Sequence, residues 1–480
     1  MKAKKFLVPC LALVLMGTTL VSCGDDNNHN SNELYVCVYD GGYGTEWIET
    51  LAAKYEEKTG VKVHAESDLS ILERMDDQLK NGADYDIYMS HDINWQQYAA
   101  NGWLENLDDL YETKIEGTDE TFEQRLVSGA AKISRYTNAS TDEEHYYKSC
   151  YTQGAGGLVY NIEMFEANNW QVPTTYDELV ALCQTIVDAE IEVPGTRNTV
   201  VPFAWSGSER QYYWDYLVFE WWAQLAGLDK IETIKQYKGS NGFTDGYEMY
   251  NPDSYYKEFI QAYEMWYNLV AMHKEYSMDN AQGETLVNAQ AAFANGRAAM
   301  IPYAQWAQYE IENSTDKKLP NIAMMKTPKA NNNVIDVNYL VGFGDSMIIP
   351  SSISDESKQN AKDFMAYLAS PEACKIFVEK AKGAFLAFDY DDVDLSEIEA
   401  TNKYTKSVHE KLTQCQNFTM TTNVEIAIWT TNSVMPWIAN KYYYANAVAN
   451  PQENTPEIVG QEIYNTAKTS WPVWLRSAGL

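Results

Sequence analysis

Tyr303, Gln305 and Trp306 stand close together after a short apolar run, two aromatic rings and an amide. Aromatic faces hold flat C–H surfaces, and an amide both donates and accepts hydrogen bonds. The same residues would equally make a packed aromatic corner that meets no ligand. The elements that must position them are readable upstream. Leu286, Val287, Ala289, Ala291, Ala292, Phe293 and Ala294 form an apolar stripe with helical spacing, and Asn295-Gly296 provides its stop. Ala298, Ala299, Met300 and Ile301 then read as a short buried strand. Pro302 has no N–H for a ladder bond, so a loop is expected from Tyr303 onward, at a strand end. In open α/β sheets ligands collect at such ends.

The start of the chain speaks to compartment. Lys2, Lys4 and Lys5 precede an apolar run over 6–21, too short and wrongly flanked for an ordinary membrane span. The run ends in Leu20-Val21-Ser22-Cys23-Gly24, which resembles the bacterial lipobox and makes residues 1–22 a lipoprotein signal peptide with Cys23 lipidated. A plain secretory signal with an incidental Cys23 is the alternative. Residues 23–33, polar and unpatterned over DDNNHNSN, read as a flexible tether. The signal carries three lysines and no acids, so its removal takes the net charge from −32 to −35. That acidity disfavours nucleic acid and anionic lipid surfaces as partners. Membrane attachment would run through the lipid alone. Five cysteines remain beyond Cys10 and Cys23, with no C-x-x-C, so buried free thiols are expected rather than a disulfide framework.

Catalytic chemistry finds little support. A glycosidase needs two carboxylates flanking the scissile bond, but 68 acids guarantee chance pairs. No G-x-S-x-G or H-E-x-x-H occurs, and the histidines number six. His91 beside Asp92 could imitate a catalytic pair, yet adjacent strand-end side chains are expected to point apart. No zinc or haem pattern is present, and no cofactor is implied. Tyrosine (35) and tryptophan (14) are abundant, which suits recognition of sugar faces.

The length exceeds one ordinary core and indicates two lobes. A strand over 33–39 runs into Asp40-Gly41-Gly42-Tyr43-Gly44, a glycine-rich turn opening a helix near Thr45. GGYG is not G-x-G-x-x-G, so a dinucleotide fold is disfavoured. Gly60 ends that helix, a second strand covers 61–65, and a helix through Leu72 and Leu79 leads to a third strand over 86–89.

These pieces occur in a recognisable order. TEWIETLAAKYEEKTGVKV, DYDIYMSHDINWQQYAANGWLENLDDL, GGLVYNIEMFEANNWQVPTTYDELVALCQTI, AAFANGRAAMIPYAQW and NAKDFMAYLASPEACKIF stand in register across about 34–388. Together they resemble the sugar-binding class of extracellular solute-binding proteins of ABC importers, the class of maltose-binding protein. The likeness thins over 230–249 and beyond 389. It implies an α/β, periplasmic-binding-protein-like fold with two lobes joined by crossover hinge strands and closing over ligand. The implied N-lobe is 34–152 with 342–388, and the C-lobe is 153–341 with 389–480. The crossovers fall near 150–156 and 341–346, with Gly154, Gly156, Gly342 and Gly344 as backbone pivots.

The resemblance also implies ligand contacts. Trp306 matches the family's stacking tryptophan, and Asp92 its acidic contact, against an N-cap for the helix over 94–100. Tyr43 in the GGYG loop and Gln153 at the first crossover are further candidates. Trp205, after a strand over 200–204, and Phe343, near the second crossover, complete the set. Phe385, Trp429 and Trp437 are weaker cleft candidates, and Glu209–Arg210 reads as a loop salt pair. The implied function is a monomeric, lipid-anchored receptor on the extracellular face of the cell membrane, passing a carbohydrate to ABC permease subunits. A surface glycan-binding lipoprotein, or a polyamine or peptide receptor of the same fold, stands as the alternative.

Overall fold

The computed structural model describes residues 32–138, 141, 143–343, 345–420 and 443–477. Cys23, Gly344, Trp429 and Trp437 lie outside the described residues. The chain opens with β1 (Glu33–Val38), α1 (Glu46–Thr59), β2 (Lys62–Ser67), α2 (Ile71–Asn81) and β3 (Ile87–Ser90). β1 pairs in parallel with both β2 and β3. Strand alternation sends β1 side chains to two cores. Leu34, Val36 and Val38 pack with Trp47, Ile48 and Leu51 of α1, while Cys37 joins Ile71, Met75 and Leu79 of α2.

Three short strands follow, β4 (Ser149–Cys150), β5 (Thr152–Gln153) and β6 (Gly156–Asn161). The next stretch holds α3 (Tyr176–Asp188), β7 (Val201–Phe203), α4 (Asp215–Ala226), α5 (Leu286–Ala294), β8 (Ala298–Ala304), α6 (Ala307–Thr315) and β9 (Ile322–Met324). Then come β10 (Val337–Tyr339), β11 (Ser346–Ile348), α7 (Asp355–Leu368), α8 (Pro371–Lys380), β12 (Phe385–Leu386), α9 (Lys403–Gln414) and β13 (Gln416–Phe418). A long terminal helix, α10 (Pro456–Ser477), closes the described chain.

The strands form two main sheets, ordered β2–β1–β3–β11–β4 and β9–β6–β8–β7. The architecture is the expected one, two α/β lobes of the periplasmic-binding-protein type. The chain leaves the first sheet after β4, enters the second at β6, and returns to the first through β11. A third passage follows β12, since Met324 of β9 donates its N–H to Ser407 Oγ of α9 at 2.8 Å. The passages are bonded to one another: Ala155 bridges Leu340, and β12 pairs with β5. A buried ion pair reinforces them, because Lys411 Nζ donates to Gly156 O at 2.6 Å and to Glu220 Oε2 at 2.9 Å. Glu220 Oε1 in turn accepts the Tyr339 N–H at 2.8 Å.

Pro302 does not break its strand. β8 continues to Ala304, with Pro302 opposite Leu158 of β6. Gln305 donates its N–H to Ala155 O at 2.9 Å, so alternation aims the Tyr303 N–H toward β6 and the Pro302 nitrogen away from it. On that other side the pairing with β7 ends at Met300–Phe203, so no ladder bond is lost. All five described cysteines are free, and Cys37, Cys150, Cys183 and Cys374 are buried.

Candidate functional site

A cleft of about 680 Å³ lies between the sheets, within the size range of small-molecule sites. Its first wall is built where parallel strands end, from the loops after β1 and β3. Its second wall comes from the turn before α4 and the start of α6. Tyr151, Gly342 and Asp345, on the crossing segments, form the floor.

The loop after β1 is shaped by Asp40, whose Oδ1 accepts N–H bonds from Gly44 at 2.9 Å and Gly42 at 3.3 Å. That turn delivers Tyr43 into the cleft, 4 % exposed, with its hydroxyl accepting from Gln305 Nε2 at 3.1 Å. Gly44 has φ 69°, and a methyl group there would overlap the Tyr309 hydroxyl of the opposite wall. After β3 the chain turns at Asp92, φ 52°. This left-handed step brings neighbours together that alternation would separate: Asp92 Oδ2 lies 2.9 Å from His91 Nδ1. The bond pushes His91 up and holds Asp92 below the usual carboxylate range. Asp92 does not cap the helix Trp95–Ala100, which starts at Asn94 without a side-chain cap. Its carboxylate stands open in the cleft.

On the second wall Trp306 is half-buried at the head of α6. Its Nε1 donates to the Tyr213 hydroxyl at 3.4 Å. The rings of Tyr43, Tyr213 and Tyr216 meet it edge to face at 6.1, 6.4 and 6.5 Å between centroids. Such packing fixes an indole while part of its surface stays in the cleft.

Tyr43, Asp92 and Trp306 therefore converge on one space. Gln153, Trp205 and Phe343 do not. Gln153 is buried, and its Nε2 donates to Leu386 O at 3.1 Å and Phe388 O at 2.8 Å, tying the first passage to the third. Trp205 is 2 % exposed, with Nε1 on Ser277 Oγ at 3.0 Å and its ring against Trp214. β7 is one strand further from the cleft than β8, so a ring following it meets core. Phe343 is buried and turned toward Gly129. Phe385 is fully buried, stacked on His409. Tyr303 and Gln305 are wholly buried as well. Gln305 is a strut, accepting the Phe385 N–H at 3.2 Å while donating to Tyr43.

Sequence reasoning missed several lining residues. Arg210 is exposed along the cleft, and its expected partner Glu209 instead accepts the Leu286 N–H at 2.7 Å, capping α5. Tyr212, Tyr213 and Tyr216 come from QYYWDY, an aromatic run interrupted by Asp215 where α4 begins, which was the available signal. Asp345 is an acid inside a glycine-rich crossover. Burial pushes its carboxyl up to about 7.

Two hinged α/β lobes around a ring-lined, polar cleft define a binding receptor. The chain belongs to the bacterial extracellular solute-binding protein family, whose model matches residues 41–374. A curated relative, the multiple sugar-binding protein of Streptococcus mutans serotype c, is 24 % identical over 250 residues. That match takes 51 % of this chain and 52 % of the relative, so the chain spans about half the length of the curated relative it matches. Among solved structures, the GacH receptor of Streptomyces glaucescens, described unliganded and with acarbose, superposes with a TM-score of 0.62 at 14 % identity, covering 93 % of this chain and 100 % of that one. RafE from Streptococcus pneumoniae gives 0.60 at 18 % identity, covering 92 % and 99 %. A chitin oligosaccharide binding protein gives 0.61 at 16 %, again covering 92 % and 99 %. At these identities the structural likeness speaks for the fold.

Proposed function

We propose that this protein captures a carbohydrate outside the cell and passes it to the permease of an ABC importer. The observation that carries the reading is the cleft itself, where the half-buried Trp306, backed by the nearly buried Tyr43, offers ring surface beside the open carboxylate of Asp92. Vicinal hydroxyls pair with such carboxylates while the sugar's C–H face lies on a ring. The family and the sugar-binding name of the curated relative point the same way. Ligand would be held between lobes 34–152 with 342–388 and 153–341 with 389–480, acting as rigid bodies in a monomer. Cys23, in its lipobox-like setting, would anchor the chain through a lipid on the extracellular face.

A thermal-shift screen over mono- and oligosaccharides, with peptides alongside, tests the reading. Ligand at about a hundred times Kd adds about 2.7 kcal/mol to stability, a shift of several degrees. A rise with saccharides is expected; a rise with peptides alone would overturn the proposal. Fractionation of cells expressing Cys23→Ala tests the anchor, and a variant still in the membrane fraction would refute it.

A further inference from the structure

The floor of the cleft holds a carboxylate without a cation. Asp345 Oδ2 accepts from Thr152 Oγ1 at 3.3 Å, and no ion pair to Asp345 occurs among the described residues. A Cβ added at Gly342 would lie 3.4 Å from Oδ2 and 3.5 Å from the Tyr43 hydroxyl, so acid and phenol share one small space. The cations that reach Asp345 electrostatically, His91 and Lys148, are engaged elsewhere. His91 pairs with Asp92, while Lys148 donates to Ser346 Oγ at 3.2 Å and lies 5.2 Å from the Trp95 ring centroid. Arg210, the guanidinium of the lining, is exposed on the opposite wall.

The surroundings are polar and unfinished. Tyr151 and Tyr216 are 2 % and 5 % exposed and line the same cleft, and their hydroxyls have no hydrogen-bond partner among the described residues. Asp92 and Glu310 add carboxyl groups, and burial raises Glu310 as it raises Asp345. Buried carboxylates are stable when paired, and tyrosine faces attract cations. A neutral sugar closing on this floor would seal Asp345 away from water without a counter-charge and leave it holding a proton. An ammonium group supplies that charge, and the open phenols accept its remaining hydrogens.

We propose that the ligand is an amino sugar whose protonated amine pairs with Asp345 at the floor of the cleft. This rests on the carbohydrate reading above and narrows it. Calorimetric titration of the mature chain at pH 7 with matched sets tests it: glucosamine, N-acetylglucosamine and glucose; the galacto equivalents; chitosan disaccharide, diacetylchitobiose and cellobiose; and spermidine. The amine-bearing sugars should bind about tenfold or more tighter than their acetylated and hydroxyl counterparts, as a charge-assisted bond requires. Asp345→Asn should abolish that preference and Asp345→Glu should keep it, each checked by a melt. The selectivity of the unaltered protein decides the matter if either variant fails to fold. Equal or tighter binding of neutral sugars overturns the amine and leaves the carbohydrate reading standing. Binding of spermidine alone overturns both, and so does the absence of binding by every saccharide.

Discussion

The indole of Trp306 is held by the edges of Tyr43, Tyr213 and Tyr216 and keeps surface in the cleft, whereas Trp205 is sealed beside Trp214 with its Nε1 on Ser277. Their alanine variants should fail in opposite ways. Trp306→Ala loses a stacking platform of about 1–3 kcal/mol, by analogy with base–aromatic stacking, or about tenfold to a hundredfold in affinity. Its ligand-free melting temperature should stay within a few degrees of wild type. Trp205→Ala leaves a core cavity costing about 3–5 kcal/mol, so its melt should drop steeply. Titration and melting of both variants check this, and the reverse pattern would exchange their assignments. Asp345 gives a pH signature in the ligand-free protein. Its carboxyl holds a proton up to about 7 when folded and only to about 3.8, its ordinary value, when unfolded. Between these limits the native state binds more protons, so this contribution to stability falls as pH rises from about 4 to about 7 and is flat above. His91 and Lys148, which favour the charged form, and Asp92, which opposes it, also face Asp345, so the readout is a difference. The stability of wild type relative to Asp345→Asn should decline across that window in melts from pH 4 to 8. A constant difference would mean the acid is ionised throughout.

At the scale of elements, the loop from Asp40 to Gly44 meets the head of α6 across the cleft. The Asp40 turn bends the loop, and Gly44 lets its backbone lie where the Tyr309 hydroxyl leaves no room for a methyl group. Gly44→Ala should therefore disfavour the approach of the walls without disturbing either lobe's core. If it lowers the closed fraction tenfold, the apparent Kd rises by about the same factor. Removing the ring in Gly44→Ala/Tyr309→Ala should recover part of the loss. A double variant no better than the single would show that the strain at φ 69°, and not the contact, is responsible. Much of this scale was readable in advance. The stripe Leu286–Ala294 and the stop at Asn295-Gly296 are local signals, and they form the helix they imply. Pro302 misled because its cost depends on whether a partner strand reaches that far, and β7 ends before it does.

For the whole molecule, three passages bonded to one another join the two sheets beside the cleft among the described residues, and the proposed lobes should close over ligand as a clamp. Small-angle scattering should give a smaller radius of gyration with saturating ligand than without. An unchanged radius would remove the clamp while leaving binding intact. The buried Lys411–Glu220 pair and the Gln153 strap lie at the passages and not in the cleft.

What the sequence determined by itself is what short-range chemistry records. Helical and strand periodicity, glycine stops and ordered motifs were enough for two α/β lobes and the family, and the leading lysines and Cys23 for an expected anchor. They were enough to place Tyr43, Asp92 and Trp306 at the ends of strands where ligands gather. Tertiary structure alone decided which rings face solvent. Trp205 and Trp306 each follow a strand of one sheet, and only the order β9–β6–β8–β7 sets one inside the core and the other on the cleft. Gln153 and Gln305 look like ligand amides in sequence but find backbone and phenol partners supplied by residues far along the chain. Asp345 became conspicuous only once folding set it half-buried on the cleft floor without a cation beside it, because a lone carboxylate is ordinary in water and costly as water is removed.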